Sequence, residues 1–251
     1  YIYEITSGKD PRDATSVDKS VPRYSAGLGD KMKGLKIGIP KEYFDSKGMD
    51  PKVRSKIMDA IRQLEKFGMR VQSISLPHTK YAMAAYYILV PSEISSNLSR
   101  FDGVRYGHDR STFGQEAKRR ITIGTYALSS GYYDAYYRTA AKVRTLIKKD
   151  FEEAFSHVDI IAAPNSPTLP FRLGEKVDNP LTMYLSDILL CPINIAGVPA
   201  LSVPCGFADG LPVGLQLIGP QFEEERLYKL AYLYEQETKW YQQIPTLPKM
   251  K

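Results

Sequence analysis

The chain has 251 residues, of which 43% are hydrophobic and 25% charged, with a formal net charge of +6. This balance supports one large or two small globular domains and excludes a disordered chain; 18 glycines without a period of three exclude collagen. No apolar run approaches the ~20 residues of a membrane helix, and Cys191 and Cys205, the only cysteines, exclude a disulfide framework and suit a reducing compartment.

Residues 1–34 read as an extended N-terminal segment, with turn signals at Asp10-Pro11, Val21-Pro22 and Gly27-Leu28-Gly29-Asp30. It begins at Tyr1 without Met and lacks the basic and apolar regions of a signal peptide, which suggests a start inside a longer protein. Leu35 to Ile39 alternates as a strand up to Pro40. Asp50-Pro51 is a helix start, followed at helical spacing by Val53, Ile57, Ile61, Leu64 and Phe67, with Gly68 as the stop. A strand over 69–76 then completes a parallel βαβ unit.

Three helices are expected over 80–98, 113–130 and 135–155, the last carrying Asp150 at the edge of its apolar face or in a pair. Val158 to Ala163 is almost wholly apolar and reads as a central strand covered on both faces. A Pro- and Gly-rich loop, a helix over 180–190, strands near 200–204 and 213–218 joined through Ala208-Asp209-Gly210, and a closing helix over 223–237 follow. Residues 242–251 read as a loose tail. Alternating strands and helices give an α/β fold.

The basic clusters at Lys31-Met32-Lys33, Lys118-Arg119-Arg120 and Lys148-Lys149 are compatible with an RNA-bearing partner, yet no RNA-reading motif accompanies them, and a solvated surface explains them as well. There is no P-loop, dinucleotide fingerprint or G-x-S-x-G elbow. His78, His108 and His157 are isolated, so no metal site is expected; His157 suits a helix C-terminus. Cys205 reads as a small buried hydrophobe rather than a nucleophile.

Asp187 lies among apolar neighbours in Tyr184 to Leu190, and a carboxylate buried there would need a cationic or donating partner, structural or belonging to a ligand. Of Lys118, Arg119 and Arg120, which cannot all face one way on a helix, one can point inward, and Arg suits a planar carboxylate; a solvated basic turn is the alternative. Tyr86 and Tyr87 can be core packing or a contact surface.

Three long strings carry a family resemblance: SEISSNLSRFDGVRYG at 92–107; KRRI at 118–121 running into GTYALSSGYYDAYY at 124–137; and NIAGVPALSVPCG at 194–206 with GLPVGLQLIG at 210–219. Over nearly its whole length the chain resembles the A subunits of glutamyl-tRNA(Gln) amidotransferases, a branch of the amidase signature family. The third string is common to amidases; the first two are much more specific to the tRNA-dependent branch.

The resemblance implies an amidase-type mixed sheet flanked by helices, with 1–251 forming the C-terminal part of a single amidase domain. It implies a subunit that releases ammonia from glutamine for conversion of Glu-tRNA(Gln) to Gln-tRNA(Gln), in a cytoplasmic or organellar-matrix complex without membrane attachment. B and C subunits are the implied partners, with ATP and Mg belonging to the B subunit, tRNA reached through the complex, and no cofactor in this chain. The family's chemistry uses a Ser nucleophile, a second Ser and a Lys base, and none is assigned here: the Gly-Gly-Ser-Ser-Gly-Gly segment and its upstream Lys are absent, and Ser129-Ser130-Gly131 is only an echo. Position by position, Tyr86 falls on a substrate-contacting Tyr, Arg120 on the Arg that holds the glutamine carboxylate, and Asp187 on the acid that holds its ammonium. The family has a longer stretch between Gly107 and Phe113 than this chain. A stand-alone small-amide amidase fragment and a non-catalytic amino-acid-binding or scaffold module are the competing readings.

Overall fold

In the computed structural model, which describes residues 1–30, 32–45, 48–105 and 107–245, the apolar run at 158–163 forms the centre of the sheet. Strand β3 (Ile160–Pro164) is buried at every position. It can be, because it has neighbours on both edges and helices on both faces leave no side for polar residues. The sheet order is β2-β1-β3-β5-β4. Strand β1 (Lys36–Pro40) pairs parallel with β2 (Arg70–Ile74) and with β3, placing Ile37 opposite Val71 and Ile160. Strand β5 (Leu211–Ile218) runs antiparallel to β3, with Leu217 opposite Ala162, and β4 (Ala200–Ala208) closes the edge as its hairpin partner. The fold is therefore a mixed α/β sheet flanked by helices, as expected.

The βαβ unit forms as its spacing predicts. Helix α3, Pro51–Lys66, is capped by the Asp50 carboxylate, which accepts from the Lys52 N–H at 2.7 Å. Val53, Ile57, Ala60, Ile61 and Leu64 face the core, and Gly68 leaves the helix at φ 91°, a conformation a Cβ would disfavour. In the β4–β5 hairpin, Asp209 and Gly210 both take positive φ, the two-residue turn whose twist matches that of the strands. A bulge between Pro204 and Gly206 leaves Cys205 out of register, its thiol donating to the Val213 carbonyl at 3.3 Å.

Helices α4 (Ala82–Leu98), α5 (Gln115–Leu128), α6 (Thr139–His157) and α9 (Glu224–Thr238) match expectation within a few residues; a wider helical turn at Asp134–Arg138 leads into α6. Asp150 is paired rather than at an edge. It is 8% exposed, and its carboxylate accepts from the His78 backbone N–H at 2.7 Å and meets His78 Nδ1 at 2.8 Å.

Two expectations need correction. The N-terminal segment is not wholly extended: Ile2–Thr6 forms a one-turn helix, α1, where Tyr3 packs between Tyr24 and Tyr228 and the Glu4 carboxylate accepts from Ser25. The helix expected over 180–190 ends early: α7 (Pro180–Leu185) gives way to turns over 186–190, and a separate helix, α8 (Cys191–Ala196), follows. Pro192 has no N–H to continue a helix from α7 and instead starts α8 in its first turn. Short α2 (Lys41–Phe44) follows β1. Of the residues discussed above, Lys31, Tyr106 and the tail positions 246–251 lie outside the described residues, while 240–242 make one further turn in which Trp240 packs on Phe207. Among the described residues, no helix is long and apolar enough to cross a membrane.

Candidate amino-acid site

Helices α4 and α5 form the frame of the site. Gly124 sits so close to α4 that a Cβ there would lie 1.9 Å from the Pro91 carbonyl oxygen. One residue along, the Thr125 and Ser95 hydroxyls bond at 2.7 Å. Four residues earlier on each helix, the Arg120 guanidinium lies over the Tyr87 ring at 5.5 Å. The contacts thus advance in the same direction along both helices, at the spacing that places i and i+4 on one face.

Tyr87 is the hub. Its ring stacks on Tyr184 of α7 at 4.1 Å and meets Tyr86 edge-on at 5.2 Å. Its hydroxyl is buried and has no hydrogen-bond partner among the described residues. Burial first, and then the charge of Asp187, push the phenol up; Arg120 works in the opposite direction. Tyr86 is also within electrostatic range of Arg120. The structure therefore brings Tyr86, Arg120 and Asp187 together around Tyr87, although they come from three separate segments.

Arg120 is the member of the basic triplet that turns inward; its side chain is 24% exposed. Its Nε donates to Glu116 Oε1 at 2.8 Å, one helical turn back. Among the described residues, its two terminal nitrogens meet no acceptor. Glu116 Oε1 also accepts from the Tyr184 hydroxyl at 2.8 Å, and Oε2 is paired with Arg119. Partial burial opposes ionisation of Glu116, but the bonds from Arg120 and Tyr184 outweigh it and hold the carboxyl below its usual range.

Asp187 differs from the sequence expectation. It is exposed, because it lies on the turn between α7 and α8, where Leu189 and Cys191 point inward and the carboxylate points out. Its side chain makes no hydrogen bond or ion pair among the described residues, so no structural partner neutralises it. Its backbone is held by the Asp187 N–H donating to the Tyr184 carbonyl at 3.0 Å and by Cys191 N–H donating to the Asp187 carbonyl at 3.0 Å. An unpaired carboxylate and a guanidinium with free N–H groups, set around an aromatic surface, suit a small zwitterion.

Sequence reasoning missed Glu116 and Tyr184. Glu116 could have been found from its i,i+4 spacing to Arg120; Tyr184 carries no signal, since its contact spans 68 residues of chain. The remaining candidates are structural. Cys205 and Cys191 are buried and their thiols are pushed up to about 12, chiefly by burial, which leaves them unreactive. The Ser129 hydroxyl donates to the Tyr126 carbonyl at the end of α5 and is not arranged as a nucleophile.

Known proteins share this sequence pattern and this fold. The amidase family model matches residues 1–228. The A subunit of the Listeria monocytogenes glutamyl-tRNA(Gln) amidotransferase is 53% identical over 262 aligned positions, covering 98% of this chain and 54% of the relative; its counterpart in Geobacillus kaustophilus is 52% identical with the same coverage. The chain thus spans about half the length of the curated relatives it matches. The crystal structure of the corresponding A subunit from Thermotoga maritima superposes with a TM-score of 0.73 at 38% identity, over 91% of this chain and 48% of that one. A bacterial aryl acylamidase shares the fold alone, with a TM-score of 0.77 at 21% identity. A family match over nine-tenths of the residues, together with the superposed mixed sheet, shows that this chain belongs to the amidase family.

Proposed function

We propose that this chain is the amino-acid-recognising part of one amidase domain, in the glutaminase component of a tRNA-dependent amidotransferase. The convergence of Tyr86, Arg120 and Asp187 around Tyr87 carries the reading. The free N–H groups of Arg120 bind the α-carboxylate of glutamine, Asp187 binds its α-ammonium, and Tyr86 lines the contact. Holding both α-groups fixes the molecule and leaves the side-chain amide free for attack, so that orientation rather than bond-making is this chain's contribution. The likeness to named glutamyl-tRNA(Gln) amidotransferase chains at 53% identity supports glutamine over other amides.

The bond-breaking chemistry belongs elsewhere in this reading. A Ser-Ser-Lys apparatus would attack the amide and release ammonia, and these 251 residues contain no Gly/Ser-rich segment of that type. The ammonia would pass to a B subunit that activates misacylated tRNA with ATP and Mg, in a complex completed by a C subunit.

In the complete enzyme, Arg120→Ala and Asp187→Ala should each weaken glutamine-dependent amidation strongly, by one to two orders of magnitude in kcat/KM for loss of a charge-assisted contact (roughly 1.5–3 kcal/mol). The same enzymes should keep the reaction supported by free ammonium. Normal glutamine kinetics in both variants would overturn the assignment. The chain alone should release no ammonia from glutamine.

A further inference from the structure

The charged arms of the site come from different elements, Arg120 from α5 and Asp187 from the turn after α7. A zwitterion has a fixed distance between its carboxylate and its ammonium. Something must therefore hold the two elements at a matching span. Glu116 is placed to do so. One oxygen, Oε1, accepts from both Arg120 Nε and the Tyr184 hydroxyl, each at 2.8 Å. Tyr184 is bonded through its carbonyl to the N–H of Asp187 and stacks on Tyr87 beneath Arg120. The other oxygen is occupied by Arg119, which stops the carboxylate from rotating away.

We propose that Glu116 is a positioning residue that sets the span between the carboxylate-binding and ammonium-binding groups, and so contributes to selectivity for free α-amino acids. This deepens the reading of the site given above and rests on it. Glu116 does not touch the ligand. By engaging Nε, it turns the two terminal nitrogens of Arg120 outward, and by engaging the Tyr184 hydroxyl it anchors the segment that ends in Asp187. Side chains held by several bonds retain productive geometry, whereas a loosened arm loses orientation without losing charge.

The test uses the complete enzyme with Glu116→Gln, Glu116→Ala, Tyr184→Phe and Arg120→Ala. The readouts are KM for glutamine, the ammonium-supported rate, and the Ki of 4-aminobutanamide, which lacks the α-carboxylate and cannot use Arg120. For Glu116→Ala, KM for glutamine should rise roughly tenfold, as expected for a lost charge-assisted contact. Glu116→Gln, which keeps an acceptor oxygen, should show a smaller rise. In both, the Ki of 4-aminobutanamide should rise by less than KM for glutamine, because that ligand feels only the loosened Asp187 arm, and the ammonium-supported rate should stay within about twofold. Tyr184→Phe should raise both KM and that Ki, because it loosens the Asp187 arm, which the amine still uses. An unchanged KM for glutamine in Glu116→Ala, or a Ki of 4-aminobutanamide that rises as much as that KM, would overturn the role of Glu116 while Arg120→Ala still weakened glutamine. No effect in Arg120→Ala would instead defeat the reading of the site itself, and this inference with it.

Discussion

Replacing Gly124 by Ala sets two well-understood effects against each other, and the structure decides the sign. On helix propensity alone, Gly to Ala inside a helix stabilises by about 1 kcal/mol. At Gly124, however, the new Cβ would lie 1.9 Å from the Pro91 carbonyl oxygen, 2.4 Å from its carbon and 2.8 Å from Ser95 Cβ. Ordinary carbon contacts lie near 3.5 Å, so α4 and α5 would have to part by more than 1 Å. Two of these neighbours are backbone, so no rotamer change relieves the overlap. Overpacking of this kind costs typically 1–3 kcal/mol, and rigid backbone puts the cost at the upper end. The net expectation is a loss of about 2 kcal/mol, or roughly 4–8 °C in Tm for a chain of this size.

Urea and thermal denaturation followed by circular dichroism measure that loss. Gly27→Ala is the control. Its Cβ would lie 2.2 Å from Lys229 Cε, an even shorter contact than that with Ser95, but at the flexible end of a side chain that can swing away. That variant gives up only the ion pairs of Lys229 with Asp30 and Glu225, and should change stability by under about 1 kcal/mol. Unchanged or increased stability in Gly124→Ala would refute the reasoning. The same variant should also raise KM for glutamine in the complete enzyme, since Gly124 sets the approach of the helix face that carries Arg120.

Asp150→Ala should cost about 2 kcal/mol in urea denaturation, since it removes a buried acceptor of two His78 bonds, whereas Asp134→Ala, which breaks an exposed pair with Arg138, should cost under about 0.5 kcal/mol. The carboxyl of Glu116 is held below its ordinary value of 4.5, so its contribution to stability is fully present above that pH and is lost as pH falls through the lower folded value. The difference in Tm between the parent chain and Glu116→Gln should therefore be constant from pH 7 down to about 5 and shrink below 4.5, and a pH-independent difference would contradict it. With both thiols raised to about 12, Cys191 and Cys205 should resist a disulfide reagent at pH 8 in the folded chain and react after denaturation; rapid labelling of the native protein would show that the thiols are accessible.

Much of this molecule is written in local pattern. Alternation and the Asp50-Pro51 start produce the βαβ unit, the apolar run at 158–163 produces the central strand, and Asp209-Gly210 produces the hairpin, because each rests on periodicity or on backbone conformations available to few residues. The residue types at Tyr86, Arg120 and Asp187, read with the family strings, marked the three positions of the proposed site. Local pattern failed where the decisive partner was distant. Whether Asp150 was paired, whether Arg120 turned inward, and whether Asp187 was buried or free depended on His78, on Tyr87 and on the break before Pro192, respectively. The Glu116 link to Tyr184 bridges 68 residues, and no one-dimensional spacing encodes it. Sequence by itself determined the elements and the chemistry carried on each; only tertiary packing decided which charges are neutralised and which are left free, because pairing depends on distance in space.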